Sequence, residues 1–164
     1  MKVEIRPFNK RDWQAIAHIY AQGMATGIAT FETEVPSFEI WNRKFLNECR
    51  LVAEIEGKVV GFAVLSLVSQ REVYRGVAEV TIYVDAQYQK RSIGQKLLSD
   101  LIISSEEFGF WTLHATVFIE NEASLALHKK CGFRVVGVKE RIGNINGKWH
   151  DNYLLERRSL KVGL

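Results

Sequence analysis

Cysteine is scarce in this chain. There are two in 164 residues, Cys49 and Cys131, and they stand far apart, without the close spacing of metal ligands. That argues against a disulfide framework or a thiolate metal site, and each reads as a small core residue. Blocks of like charge are missing too. No five consecutive residues share a sign, and 22 Lys and Arg against 19 Asp and Glu leave a net charge of +3. Charge so mild and so dispersed does not make a nucleic-acid surface. No apolar run reaches the roughly 18 residues of a membrane span. The opening Met1-Lys2-Val3-Glu4-Ile5-Arg6 carries charge where a signal peptide would hold its apolar stretch. These absences predict a cytoplasmic protein with neither nucleic acid nor membrane as partner. Linkers, low-complexity segments and internal repeats are also lacking. With 47% hydrophobic residues, the chain reads as one domain, residues 1–164, with a substantial core.

What is present is a regular alternation of periods. Val3–Arg6 reads as a strand stopped at Pro7, and Asp12 is expected to cap a helix carrying Trp13, Ile16, Ile19, Tyr20 and Met24, with Gly27 near its end. Pro36-Ser37 opens a second helix with Phe38, Trp41 and Phe45 on one face. Leu51–Ile55 and Val59–Val68 flank the hairpin turn Glu56-Gly57-Lys58. A strand over Ala78–Val84 and a helix from about Ser92 to Phe108 follow. Then come a strand at Trp111–Val117, a short helix at Ala123–Lys130 ended by Gly132, and strands at Arg134–Lys139 and Asn152–Arg157. The order β-α-α-β-β-β-α-β-α-β-β predicts a mixed α/β fold with helices packed on a central sheet.

The most informative stretch runs from Tyr83 to Leu98. Val80, Ile82 and Val84 face one side of its strand, and Thr81 and Tyr83 the other; Ile93, Leu97, Leu98, Leu101 and Ile102 line one side of the helix. Between them, the N–H groups of Lys90 to Gln95 meet a helix N-terminus, where donors lack helical partners and the helix dipole favours an anion. Lys90, Arg91 and Lys96 add positive charge, and the composition suits a pyrophosphate. Read alone, the same segment is also a solvated basic loop.

Gln89-Lys90-Arg91-Ser92-Ile93-Gly94 resembles the acyl-CoA turn of the GNAT N-acetyltransferases, Arg/Gln-x-x-Gly-x-Gly/Ala. Ser92 stands where the family usually has its first glycine, and its hydroxyl could cap the helix or bond a phosphate oxygen. The segment from Asn121 to Phe133, with Ser124 three residues after the asparagine and Gly132-Phe133 at its end, resembles the family's second signature. The resemblance implies the acyl-CoA N-acyltransferase fold, α/β with a mixed, mostly antiparallel central sheet and helices on both faces. It also implies acetyl-CoA as co-substrate and no metal. Carried over residue by residue, it places the cofactor against Ile82, Tyr83 and Val84, against Gln89, Lys90, Arg91, Ser92, Ile93, Gly94 and Gln95, and against Asn121 and Ser124. The oxyanion donors are expected among the backbone N–H groups of Ile82, Tyr83 and Val84, freed where the strands splay, often through a bulge.

Three further segments, Thr30–Pro36, Tyr74–Val84 and Gly143–Asp151, are similar to the phosphinothricin and methionine sulfoximine acetyltransferase branch. Its members acetylate the α-amine of small amino acids and analogues and are usually homodimers. The resemblance makes Glu79 the base that collects the amine's proton; the plain alternative is a salt bridge at the strand's start. His128 stands where many GNATs carry a tyrosine beside the CoA sulfur. It reads equally as a proton donor or relay and as a polar helix residue touching the cofactor. Arg71 and Arg75 are the candidates for a substrate carboxylate. Phe31, Glu32, Tyr74, Thr81 and Trp149 are expected to complete the substrate pocket, Trp149 from a second subunit. His18 and His114 read as surface or satisfied residues.

Two other functions stay open. Protein N-terminal or lysine acetylation on the same fold would need an open groove for a peptide, which the long Thr30–Pro36 and Asn144–His150 loops disfavour. A non-catalytic CoA-binding module is kept alive by Lys90 and Ser92 in place of glycines.

Overall fold

Pro7 has no backbone donor and so belongs at a sheet edge. In the computed structural model, which describes residues 2–164, it ends β1 (Glu4–Pro7), an edge strand of a seven-stranded sheet. Met1, the first residue of the charged N-terminal stretch, lies outside the described residues. The chain continues through α1 (Trp13–Ala25), α2 (Phe38–Lys44), β2 (Leu51–Ile55) and β3 (Lys58–Leu67). It then forms β4 (Val77–Val84), α3 (Ile93–Glu107), β5 (Thr112–Phe118), α4 (Glu122–Lys130), β6 (Arg134–Ile145) and β7 (Lys148–Arg158). The sheet order is β1-β2-β3-β4-β5-β7-β6. Among the described residues only β4 and β5 run parallel; every other pairing is antiparallel. This is the expected order of elements, and the mixed, mostly antiparallel sheet is the one that the resemblance implied.

The core is split by the sheet. Leu97, Leu98 and Leu101 of α3 pack with Val60, Ala63, Leu65, Leu113, Ala115 and Leu155. On the opposite face, Ile16 and Ile19 of α1 and Trp41 of α2 pack with Val52, Phe62 and Val64. The central strand β3 is buried on both faces from Val59 to Leu65, which is why its sequence is a continuous apolar run. Glu56 and Gly57, with φ of 50° and 79°, form the expected hairpin turn into it. The same turn chemistry recurs at Asn146 and Gly147 (φ 51° and 82°), between β6 and β7.

Two local expectations are corrected. Asp12 does not cap α1 with its side chain. It closes a capping box with Asn9 on a short 3-10 turn, accepting the Asn9 N–H at 2.7 Å. Its carboxylate also receives both terminal nitrogens of Arg6 at 2.9 Å. The last two strands are longer than their sequence pattern showed, because register shifts at Val135/Gly137 and Lys139/Gly143 break the two-residue alternation. At the second irregularity Arg141 takes φ 43°, and its N–H is received by Asp151 Oδ1 at 2.6 Å.

Asp12 carries a pH prediction. Burial pushes its carboxyl up, but the hydrogen bonds from Arg6 and the Asn9 backbone outweigh that, and its pKa falls below the ordinary value of 3.8. A carboxylate depressed in the folded state contributes stability above its unfolded pKa and loses it as pH falls through the folded value. Asp12→Asn is therefore expected to cost about 2 kcal/mol at pH 7. In urea unfolding its deficit against the parent should shrink as the pH drops below 3.8.

Candidate active site

The site begins with an interruption in the sheet. β4 and β5 pair for three rungs only, Val77 with Thr112, Ala78 with Leu113 and Glu79 with His114, and then part. No bulge is needed, since β4 keeps an unbroken register with β3 from Ala78 to Val84. The Asp85 N–H bonds the Val60 carbonyl at 2.8 Å. This sets the alternation of the ladder, so Thr81 and Tyr83 face their β3 partners and the N–H and C=O of Ile82 and Val84 turn into the gap. Of the three expected oxyanion donors, Tyr83 is thus directed at β3, and Ile82 and Val84 at open space.

A cleft of about 870 Å³ passes through this gap, a size usual for ligand sites. Side chains from both faces of β4 line it: Glu79, Thr81 and Tyr83 on the α1 side, Val80, Ile82 and Val84 on the α3 side. Glu79 sits at the last rung. Its Oε1 accepts the Thr116 hydroxyl at 2.9 Å, which orients the carboxylate across the parting strands. Phe31 and Glu32 reach the cleft from the loop after α1. The Phe31 ring lies 4.6 Å from that of Phe118 and rests on Gly143, where a Cβ would come within 2.5 Å of the ring. A side chain at 143 would therefore unseat Phe31.

At the other end stands the expected anion turn. Lys90 and Ser92 both have φ of 61°, so Ser92 holds the left-handed conformation for which glycine is suited. Its hydroxyl does not cap α3. The first bond of the helix runs from the Lys96 N–H to the Ser92 carbonyl at 3.1 Å, leaving the N–H groups of Ile93, Gly94 and Gln95 without helical acceptors. Gln89, Lys90, Ser92, Ile93, Gly94 and Gln95 all line the cleft. Gly94 keeps α4 close, since a Cβ there would sit 3.2 Å from Leu127 Cδ2. Lys96 is turned away and donates to the Val3 carbonyl at 2.6 Å, while the Arg91 guanidinium lies 5.2 Å from the Tyr88 ring, off the cleft wall. Donors, charge and a close helix pair are what a pyrophosphate requires. Ser92→Gly is expected to relieve the backbone and raise stability by about 0.5–1 kcal/mol, read as a rise of roughly 1–4 °C in Tm.

Helix α4 borders the same cleft. Asn121 caps it, its Oδ1 accepting the Ser124 N–H at 3.2 Å. His128 is 3% exposed, with Nδ1 2.7 Å from the Ser124 carbonyl and Nε2 without a hydrogen-bond partner among the described residues. Burial pushes its pKa below the ordinary 6.5, against the opposing effect of the Ser124 bond. The neutral ring therefore donates through Nδ1 and keeps an acceptor at Nε2.

Other residues named from the sequence stand elsewhere. Arg71, Tyr74 and Arg75 belong to an exposed 3-10 turn before β4. The Arg71 guanidinium lies 5.4 Å from the Tyr74 ring, and that of Arg75 lies 5.4 Å from the Trp111 ring. Trp149 is 59% exposed at the β6–β7 hairpin. None of the four lines the cleft. Conversely Tyr20, Gln22, Lys44 and Thr116 line it, and none of them is among the site residues expected from the sequence. Tyr20 stacks on Tyr83 at 5.2 Å, and Gln22 receives the Ala86 N–H at 2.9 Å, tying α1 to the anion turn. Tyr20 had the signature of a core residue, and nothing local marks the others.

Comparison with known proteins identifies the family. The model of the acetyltransferase (GNAT) family matches residues 13–133. Phosphinothricin N-acetyltransferase of Streptomyces viridochromogenes is 32% identical over 91% of this chain and 84% of its own length. The L-methionine sulfoximine/L-methionine sulfone acetyltransferase of Salmonella typhimurium is 30% identical over 90% and 89%. The crystal structure of a GNAT superfamily phosphinothricin acetyltransferase from Sinorhizobium meliloti in complex with AcCoA superposes with a TM-score of 0.90, at 28% identity, over 99% of this chain and 91% of that one. A sheet opened between its parallel strands, a helix start whose first N–H groups lack helical acceptors beside the opening and these similarities together place the chain in the GNAT acetyltransferase family, as an acetyl-CoA-dependent N-acetyltransferase.

Proposed function

We propose that the enzyme acetylates the amine of a small amino-acid-like molecule of the phosphinothricin, methionine sulfoximine or methionine sulfone type, by direct attack in a ternary complex. The observation that carries this reading is Glu79, held by Thr116 at the point where β4 and β5 part and facing a cleft that also receives the free N–H of Ile82. Acetyl-CoA supplies an activated acyl group as a thioester. Ile93, Gly94 and Gln95 offer their N–H groups, and Lys90 its charge, to the pyrophosphate; Asn121 and Ser124 flank the arm that follows. As the amine nitrogen bonds the acyl carbon, Glu79 takes its proton and the Ile82 N–H donates to the acyl oxygen as its charge grows; the C–S bond then breaks and CoA leaves as a thiolate that is protonated from solvent. The unpartnered Nε2 of His128 favours an acceptor over a donor at neutral pH. Phe31, seated between Gly143 and Phe118, walls the substrate end, which suits a small molecule better than a peptide.

A homodimer fits the same reading. β6 is a sheet edge, and Val136, Val138, Ile142 and Trp149 on the terminal hairpin are each 46–59% exposed, an apolar surface of the kind that pairs copies.

Thiol release from acetyl-CoA, screened with methionine sulfoximine, methionine sulfone, phosphinothricin, free amino acids and N-terminal peptides, tests the proposal. Turnover on the first group is expected. Activity on peptides alone would replace it with protein acetylation.

A further inference from the structure

The charged side chains of the cleft are unevenly placed. Lys90 and Lys130 line it beside α3 and α4, at the cofactor end. At the Glu79 end, among the described residues, the cleft wall contains one cation, Lys44, on the last turn of α2. The chain leaving α2 is fixed there: the Leu46 N–H donates to the Leu65 carbonyl at 2.8 Å. Leu65 precedes Ser66, and Ser66 is the β3 partner of Glu79. Lys44 is therefore anchored beside the strand pair that carries Glu79, while Arg71 and Arg75 lie off the wall.

The Lys44 ammonium sits 5.3 Å from the Phe45 ring and 3.8 Å from Glu32 Oε1, beyond hydrogen-bond distance. Both side chains are about half exposed, and such a loose exposed pair contributes little. An anion that reached the cleft could take the ammonium from Glu32 at small cost. We infer that Lys44 binds an anionic group of the amine substrate, with Glu32 as its displaceable resting partner. The site then selects amines that carry a carboxylate or a comparable acid over neutral or cationic amines. This inference rests on the reading that a small amino-acid-like amine is acetylated here.

The test compares methionine sulfone with its carboxamide in steady-state kinetics. Lys44→Met is expected to raise KM for the acid about tenfold, equivalent to the loss of one modest charge contact, with kcat within about threefold. KM for the carboxamide should stay unchanged, which also reports that the fold is intact. Lys44→Arg should retain most of the preference for the acid, and Glu32→Gln should lower KM for the acid. Equal effects of Lys44→Met on acid and carboxamide, or none on either, would overturn the inference and leave the acetyltransferase reading standing. Absence of turnover on every free amino acid and analogue in the parent enzyme would overturn that reading and this one with it.

Discussion

Glu79→Gln is expected to lower kcat on the amine substrate about 100-fold or more while leaving the KM for acetyl-CoA within about twofold. Glutamine has the shape of glutamate, and its carbonyl can still accept the Thr116 hydroxyl that now lies 2.9 Å from Oε1. The side chain should therefore keep its place at the last rung of the β4–β5 ladder. What it loses is the ability to take a proton. The anion turn at Lys90–Gln95 is built from backbone donors on the far side of the gap, so cofactor affinity is not expected to follow. A fall in kcat without a change in cofactor KM separates a proton acceptor from a salt bridge at the strand's start; a Glu79→Gln enzyme with full kcat would remove Glu79 from the chemistry. Thr116→Val should give a smaller loss, because it frees the carboxylate to rotate without removing it.

Arg50→Met is expected to destabilise the fold by about 3 kcal/mol, or roughly 6–12 °C in Tm. Arg50 is 8% exposed, and among the described residues no carboxylate hydrogen-bonds its guanidinium, Glu48 acting on it only through its charge. It instead donates to the Leu46 carbonyl (2.6 Å), the Asn42 Oδ1 (2.7 Å), the Asn42 carbonyl (2.9 Å) and the Phe45 carbonyl (2.8 Å). These carbonyls stand at the end of α2, where helical donors have run out. The guanidinium also lies 4.9 Å from the Trp41 ring and 5.8 Å from that of Phe8. Methionine can fill the volume but supplies no donor, so several acceptors are left unpaired at once. Lysine has the charge without the planar fork and should recover only part of the loss. Chemical denaturation of the three proteins gives the order. Because Arg50 holds the exit of α2, its loss should also loosen Lys44 and Phe45 on the cleft wall.

Much of the fold was legible because its determinants are local. The 3.6-residue pattern of Ile93, Leu97, Leu98, Leu101 and Ile102 lies within one helix, and the turn at Glu56-Gly57 depends on two residues. The turn proposed for the pyrophosphate is local as well, since donors at a helix start follow from chain direction alone. Ser92 shows where local reading stops. A hydroxyl at a helix start predicts a side-chain cap, yet its φ of 61° is imposed by the path from β4 into α3. The long terminal hairpin was hidden for a related reason: its two irregularities shift every side chain beyond them to the other phase.

The sequence by itself determined the family, the order of elements and the turn proposed to hold the cofactor, all carried by residues close together in the chain. Only the tertiary structure decided where the sheet opens, since ladder hydrogen bonds end at Glu79 and His114 through the paths of strands more than thirty residues apart. It also decided which side chains meet there. Thr116, Tyr20 and Lys44 come to Glu79's cleft from separate elements, and Arg71 and Arg75, closer in sequence, do not. Periodicity tells which way a residue faces within its own element; which elements then face each other is set by the packing of the whole core.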